Sequence, residues 1–149
     1  MKFQNTIIYL LTPIANSYWA NLESAMNEIN LHSGQVFILI SLWEQDGQSQ
    51  IELAKNLNLT PPSINKMVKS LAREKFVKFK NSKEDGRIVR VYLTEKGSES
   101  RQAVEEQWQK LESQILINFS ETEKLILFQL FDKLKENLIG NVASEKTGK

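Results

Sequence analysis

The sequence predicts a mainly α-helical fold that contains one small β-hairpin. Hydrophobic residues recur at three- and four-residue steps along most of the chain, but between residues 76 and 93 the repeat shortens to two. The charge is also unevenly placed. Residues 49–96 carry eleven Lys and Arg against five Asp and Glu, a net charge of +6, whereas residues 1–48 and 97–149 carry −3 and −2. We therefore expect a basic central segment between helical flanks, with a polyanion as its partner.

Composition excludes several classes of protein. The 149 residues include no Cys, which excludes disulfides, thiolate metal sites and cysteine redox sensors. They include a single His, so imidazole-rich metal sites and His-based triads are not expected. No apolar run approaches the ~20 residues of a membrane span. The first residues lack a signal-peptide cleavage pattern. We expect a cytoplasmic protein without catalytic residues, cofactor, metal or membrane segment.

Helical periodicity predicts a first helix over residues 4–31 and a second over about 34–45. Pro13 is expected to start or kink the first helix, so that the segment before it forms a separate turn. Ser33 is expected to cap the second helix, and Asp46-Gly47 to end it. The second helix is apolar on nearly all sides, which is typical of a central position.

Two short helices then follow in close succession. Ser49 and Glu52 have the spacing of a capping box and predict a helix over residues 50–57. Thr60 and Pro61 have the residue types of an N-cap and a first helical position, and they predict a helix over about residues 61–74. A pair of short helices joined by a tight connection is typical of the helix-turn-helix unit.

The remainder predicts a hairpin and two longer helices. Strands are expected at 76–80 and 88–93, joined by a polar turn that contains Asp85-Gly86. Helices are expected at 98–117 and 121–139, with Gly140 as a C-terminal stop and residues 142–149 as a frayed polar tail. The fold class is thus mainly α with a small β-hairpin wing: a winged helix-turn-helix core flanked by terminal helices.

The motifs in this order resemble the MarR family of bacterial transcription regulators. The resemblance runs through the following segments: Ser49-Gln50-Ile51-Glu52-Leu53-Ala54, then Ile64, Val68 and Leu71, then Asp85-Gly86-Arg87, and Leu93-Thr94-Glu95-Lys96-Gly97. It implies one domain over residues 1–149, in which residues 1–31 and 98–140 are dimerisation helices and residues 33–97 bind DNA. It also implies a homodimer on a pseudo-palindromic operator. Many members release DNA when a small, often aromatic or anionic, effector binds, and a repressor is the expected role.

Two positions depart from the family pattern. Lys75 stands where the family usually has Gly, between the recognition helix and the first wing strand. If this corner is left-handed, a side chain there costs about 1 kcal/mol relative to Gly; the alternative is a corner with a different backbone geometry. Gly86 stands where the family often has Arg, which leaves Arg87 as the expected DNA contact of the wing.

The predicted DNA-binding residues follow from helical geometry and from the wing. If Ile64, Met67, Val68 and Leu71 face the core, the outward positions of the recognition helix are Pro62, Ser63, Asn65, Lys66 and Lys69. Asn65 has the chemistry to pair with adenine, Lys66 with guanine or a phosphate, and Ser63 and Lys69 with phosphates. In the wing we expect Arg87 in the minor groove, braced by Asp85, and Arg90 in a basic rim with Lys78, Lys80 and Lys83.

Other functions remain open at this point. A winged helix can dock protein instead of DNA, and the basic middle segment argues against that interaction module. A small helical enzyme has no supporting motif, since no nucleophile–base pair, phosphate loop or metal cluster is visible. The terminal helices could also cap a monomer, although a twofold dimer is the common solution. An effector is expected under the first helix, near its junction with the winged helix.

Overall fold

The computed structural model describes residues 1–146. A 3-10 turn at Phe3–Asn5 precedes six helices and three strands. In chain order these are α1 (Ile7–Asn27), α2 (Ser33–Glu44), β1 (Gln48–Ser49), α3 (Gln50–Asn56), α4 (Pro61–Arg73), β2 (Val77–Asn81), β3 (Val89–Leu93), α5 (Glu95–Ile115) and α6 (Glu121–Lys146). The predicted fold class, mainly helical with a winged helix-turn-helix, is confirmed.

The sheet has three strands in the order β1-β3-β2, all antiparallel. The wing hairpin pairs Phe79 with Val91, and on the other side of β3 the same Val91 pairs with Gln48. The two-residue strand β1 was missed by the sequence analysis, because two residues carry no periodicity. It joins the end of α2 to the wing, and so anchors the hairpin to the helix-turn-helix.

The chain forms two compact units, Met1–Leu111 and Glu112–Lys149. The first unit contains the hydrophobic core, which α1 to α5 and the sheet all line. Its fully buried side chains are Leu22, Met26, Leu31, Ile38, Leu39, Leu42, Leu53, Ile64, Leu71, Val36, Val68 and Val91. The prediction of a single domain over residues 1–149 stays a prediction.

The start of α1 differs from the expectation. Pro13 lies inside the helix, and the residues before it form the first turns of α1 instead of a separate turn. The Thr6 hydroxyl caps this end by accepting from the N–H of Tyr9 at 3.3 Å. Because capping and the first turns already fix the helix, the single N–H that Pro13 lacks does not end it.

The start of α2 depends on a residue from α1. Ser33 is the first helical residue and His32 is the N-cap, one position earlier than predicted. Glu23 accepts from the Ser33 N–H at 2.8 Å and pairs with His32 Nδ1 at 2.7 Å. The hydrogen bonds from His32 and Ser33 lower the pKa of Glu23 to about 2. A carboxylate of α1 thus caps α2 and fixes the two helices together.

The second unit includes α6, whose first turn carries a capping box. Ser120 N–H donates to Glu123 at 2.8 Å, and Glu123 N–H donates to the Ser120 hydroxyl at 3.2 Å. The predicted stop at Gly140 is wrong, since α6 continues to Lys146. Gly favours a C-terminus only where the next residues do not extend the helix, and residues 141–146 do. Of the predicted polar tail, residues 147–149 lie outside the described residues.

Candidate nucleic-acid interface

The helix-turn-helix is fixed by side-chain caps that are local in sequence. At α3, Ser49 N–H donates to Glu52 at 2.7 Å and Glu52 N–H donates to the Ser49 hydroxyl at 3.2 Å, so the predicted capping box is confirmed. The Ser49 N–H and hydroxyl hold the pKa of Glu52 below its usual range. The turn passes through Asn58 at a φ of 51°, a left-handed conformation that Asn tolerates better than most residues.

The recognition helix α4 has one buried and one exposed face. Ile64 and Val68 are fully buried and attach the helix to the core. On the opposite face, Lys66 and Lys69 are exposed, in the position that helical geometry predicts. Arg73 is also exposed, one turn after Lys69. A continuous cationic face therefore points away from the core.

The first turn of α4 carries the remaining predicted contacts. Pro61 and Pro62 occupy the first two helical positions and are exposed. The hydroxyls of Thr60 and Ser63 are 2.9 Å apart, and the Thr60 hydroxyl also accepts from the Ser63 N–H at 3.4 Å. Asn65 is only half-buried, so its carboxamide lies at the edge of the exposed face.

The wing presents a second cationic surface. The side chains of Lys78 and Lys80 alternate with those of Val77 and Phe79, so the lysines share the outer face of the hairpin. Lys80 lies opposite Arg90 in the register, and its Nζ is 5.7 Å from the ring centroid of Tyr92. The apolar side of the hairpin begins with the buried Val77 and packs on the core.

Arg87 lies at the tip of the wing. Asp85 accepts from the Arg87 N–H at 3.0 Å, which closes the turn, and the Arg87 Nε lies 3.8 Å from the same carboxylate. The Arg87 side chain is 95% exposed. An ion pair this exposed contributes little to stability, so the Arg87 guanidinium stays available for a ligand.

Arg90 is placed differently from the other predicted contacts. Its Nη1 donates to the Gly47 carbonyl at 2.8 Å and to Glu52 at 3.2 Å, and its side chain is 27% exposed. Arg90 thus connects β3 to the start of the helix-turn-helix. The sequence places Arg90 beside the lysines of the wing, but the pairing with Glu52 spans 38 residues and has no local signal.

The corner after the recognition helix is left-handed, which is the conformation that favours the Gly usual in the family. Lys75 has a φ of 65°. Its carbonyl accepts from the Thr94 hydroxyl at 2.6 Å, and the Phe76 N–H donates to the Leu71 carbonyl at 2.9 Å. These hydrogen bonds hold the corner although a side chain is present where Gly is the usual residue.

A cavity of about 300 Å³ lies between α2 and α5. Trp43 and Trp108, both half-buried, line it together with Arg101, which is paired with Glu105 at 2.7 Å. Among the described residues, no group of three or more His, Cys, Asp or Glu could hold a metal ion. In the same part of the chain, no helix combines the length and hydropathy of a membrane span.

Part of the chain matches a known protein family. Residues 31–89, which run from the end of the α1–α2 turn to the start of β3, match the model of the MarR family. This part of the chain is similar to the MarR family. The matched segment contains the whole helix-turn-helix and the tip of the wing, so the family signal lies in the same elements that form the two cationic surfaces.

Individual relatives of this chain are distant in sequence. The HTH-type transcriptional regulator YdgJ of Bacillus subtilis is 26% identical over 101 residues, which are 68% of this chain and 62% of YdgJ. The chain thus matches less than two thirds of that relative's length.

Two solved structures show the same fold over nearly the whole chain. A MarR family transcriptional regulator from Listeria monocytogenes, complexed with 26mer DNA, superposes with a TM-score of 0.84 at 23% identity, covering 97% of each chain. BpsR of Bordetella bronchiseptica, described in work on the regulation of its DNA binding by 6-hydroxynicotinic acid, has a TM-score of 0.84 at 17% identity and covers 91% of this chain and 97% of its own.

Two exposed cations near the predicted interface, Arg73 and Lys55, were not predicted from the sequence. Arg73 follows Lys69 by four residues, so the helical repeat already placed it on the exposed face of α4. Lys55 is exposed on α3 and follows Ile51 by four residues. Both could have been found from spacing alone.

Proposed function

We propose that this chain is a sequence-specific, double-stranded DNA-binding transcriptional regulator that acts in the cytoplasm. The observation that carries the proposal is the pair of exposed cationic surfaces, one on α4 and one at the wing tip, in a single unit. A recognition helix in the major groove and an arginine in the adjacent minor groove are the contacts that such an arrangement fits. Arg87 is the proposed minor-groove residue, and Lys66 and Lys69 are the proposed phosphate contacts.

The predicted contact residues differ in the interactions that they can make with DNA. Asn65 has the carboxamide that pairs with the N6 and N7 of adenine, a contact worth ~1–3 kcal/mol of discrimination. Asp85 is proposed to orient Arg87, since it already closes the turn that presents the guanidinium. The Ser63 hydroxyl is shared with Thr60 in the free protein, so a phosphate contact requires that this hydrogen bond be exchanged.

The proposal is tested by selection of bound genomic fragments with the purified protein, followed by gel shifts at increasing salt. We expect one preferred sequence, with affinity that falls ~10³–10⁵-fold between 50 and 200 mM salt if six to ten phosphates are contacted. Arg87→Ala should weaken binding clearly. Lys110→Ala, which removes one exposed cation from α5, is the charge-matched control and should bind as the wild type does. Salt-insensitive binding, or binding to a protein but to no duplex, would favour the interaction module instead.

We further propose that two copies associate through the terminal helices. In the first unit, apolar side chains of α1 are exposed, among them Ile7 at 59% and Ile8 at 83%. In the second unit, α6 exposes Leu125 at 65% and Phe128 at 56%. Apolar surfaces on such a scale mark interaction sites, and a second copy is the occupant that twofold packing supplies. Sedimentation should give twice the chain mass of 17.2 kDa. A monomer at micromolar concentration would contradict this proposal.

Repression released by a small effector is the proposed mode of regulation. The α2–α5 cavity is lined by no residue of α1, so it differs from the effector site expected under the first helix. It offers two indole surfaces, which suit an aromatic compound, and the guanidinium of Arg101, which an anionic compound would share with Glu105. The named regulation of BpsR by 6-hydroxynicotinic acid suggests aromatic acids as the first panel. We expect one of them to raise the melting temperature and to release the selected operator. A panel that leaves the melting temperature unchanged would argue against this class of effector.

A further inference from the structure

A buried glutamine joins α2 to the recognition helix. The side chain of Gln35 is 2% exposed. Its Oε1 atom accepts from the His32 N–H at 2.9 Å and so caps the start of α2. Its Nε2 atom donates to the Ser70 hydroxyl at 3.1 Å and, over a longer 3.4 Å, to the Glu74 carboxylate. One buried carboxamide thus holds the first turn of α2 to the end of α4.

The hydrogen bonds of Gln35 add direction to the attachment of α4. Ile64 and Val68 bury the inner face of the helix, but burial of apolar area is non-directional and permits small rotations and shifts along the helix axis. Hydrogen bonds weaken steeply away from their preferred angle. The Ser70 hydroxyl also donates to Glu74 at 3.2 Å, which holds the two partners of Gln35 in place. Gln35 therefore fixes the rotation and the axial position of the recognition helix.

The same turn of α2 is held to α1. Glu23 of α1 accepts from the N–H of Ser33 at 2.8 Å, two residues before Gln35. The start of α1 carries the exposed Ile7 and Ile8, which belong to the surface proposed for association of two copies. A set of side-chain hydrogen bonds thus connects α1, through the start of α2, to the recognition helix.

The position of α4 relative to α1 has a direct consequence for a twofold dimer. The distance and angle between its two recognition helices decide which separation of half-sites fits both helices at once. One added base pair shifts a half-site by ~3.4 Å and turns it by ~34° about the duplex axis. We propose that Gln35 is a positioning residue that sets the half-site spacing which this protein accepts. This inference rests on the proposed DNA binding and on the proposed association of two copies.

The test uses the full-length protein and synthetic duplexes of the operator obtained by genomic selection, with one base pair inserted or removed between the half-sites. The quantity measured is the spacing penalty, the ratio of the dissociation constants for the altered and the natural spacing. A smaller folded fraction raises both constants by the same factor, so a loss of stability alone leaves this ratio unchanged. For the wild type we expect a penalty of about tenfold or more, because one recognition helix loses its half-site.

Gln35→Met keeps the size of the buried side chain and removes its hydrogen bonds. Its affinity for the natural spacing should fall about fivefold, and its spacing penalty should be at least about threefold smaller than that of the wild type. If thermal unfolding shows that this variant is not folded, Ser70→Ala combined with Glu74→Ala removes the same contact from the side of α4. That double variant should show the same reduced penalty.

Gln48→Met is the matched control. Gln48 is also 2% exposed, but its hydrogen-bond partners are Ser41 on α2, Gln45 in the turn that follows α2, and Asn56 on α3. This variant should keep the spacing penalty of the wild type.

The outcomes separate this inference from the proposed function. A wild-type spacing penalty in the Gln35 variant, or an equal reduction in Gln48→Met, would overturn the role of Gln35 while DNA binding stands. A wild type that binds the operator without any spacing penalty would overturn it in the same way. If the wild type binds no duplex at all, the proposed DNA binding is overturned as well.

Discussion

Arg90 on β3 donates from Nη1 to the Oε2 atom of Glu52 on α3, over 3.2 Å. The same Oε2 accepts from the Ser49 N–H at 2.7 Å, and the same Nη1 donates to the Gly47 carbonyl at 2.8 Å. One carboxylate therefore caps the first helix of the helix-turn-helix and holds the base of the wing. The relative position of the two proposed DNA-contacting surfaces depends on this contact.

The first prediction concerns Arg90 as a positioning residue. Arg90→Gln should lower operator affinity by about fivefold, which corresponds to ~1 kcal/mol for a partly exposed charge-assisted hydrogen bond. The slope of log affinity against log salt should not change, because no phosphate contact is removed. Lys66→Ala is the comparison, and its slope should decrease by about 1. A decrease of the same size in Arg90→Gln would show that Arg90 contacts a phosphate, as the sequence analysis expected.

The second prediction concerns the left-handed corner at Lys75. Lys75→Gly should raise the free energy of unfolding by about 1 kcal/mol, because Gly adopts a φ of 65° without the steric cost of a Cβ. Lys69→Gly is the matched control. Lys69 lies in the interior of α4, where Gly should lower the free energy of unfolding by about 1 kcal/mol. Urea denaturation of both variants measures the two effects, and destabilisation of equal size at both positions would contradict the prediction.

Features that depend only on residues close to one another in the sequence could be predicted from the sequence. The capping boxes that start α3 and α6 each involve residues three apart, as in Ser49 with Glu52 and Ser120 with Glu123. The two faces of α4 follow from the helical repeat alone. The left-handed conformation of Lys75 was one of two geometries that the sequence left open at that corner.

Features that depend on tertiary contacts could not be predicted. Glu23 caps α2 from α1, and Arg90 reaches Glu52 from another strand. Neither contact has a spacing that a repeat could reveal. Strand β1 is defined only by its pairing with β3. In the proposed interface, the contacts of Arg90 with Gly47 and Glu52 differ from the place in the basic rim that the sequence predicted. Lys66, Lys69 and Arg87 are exposed, as the sequence predicted.

The third prediction concerns the acid stability that Glu23 provides. The folded-state pKa of Glu23, about 2, lies below its ordinary value of 4.5. The contribution of its ionised form to stability is therefore fully present above pH 4.5 and is lost as the pH falls toward 2. Glu23→Gln should be less stable than the wild type at about pH 6, and the difference should shrink at about pH 3. Urea midpoints at the two pH values measure this, and a constant difference would contradict it.

The last prediction concerns the close packing at Gly97, the first buried residue of α5. A Cβ atom at Gly97 would overlap the carbonyl oxygen of Phe76. That carbonyl cannot easily move away, because it accepts from the Thr94 N–H at 3.0 Å, and the Gly97 carbonyl itself accepts from Trp43 Nε1 at 3.0 Å. Backbone on both sides of the contact is thus held by hydrogen bonds.

Gly97→Ala should therefore lower the free energy of unfolding by about 1–3 kcal/mol, the usual cost of overpacking. Gly86→Ala, at the wing turn, is the matched control, since no atom lies within 4 Å of a Cβ placed there. Its effect should stay within about 0.5 kcal/mol. Chemical denaturation of the two variants gives their free energies of unfolding, and the difference between them separates the cost of steric overlap from the general effect of a Gly-to-Ala change. Equal midpoints for the two variants would mean that α5 can shift away from Phe76, and that this junction is less rigid than its hydrogen bonds indicate.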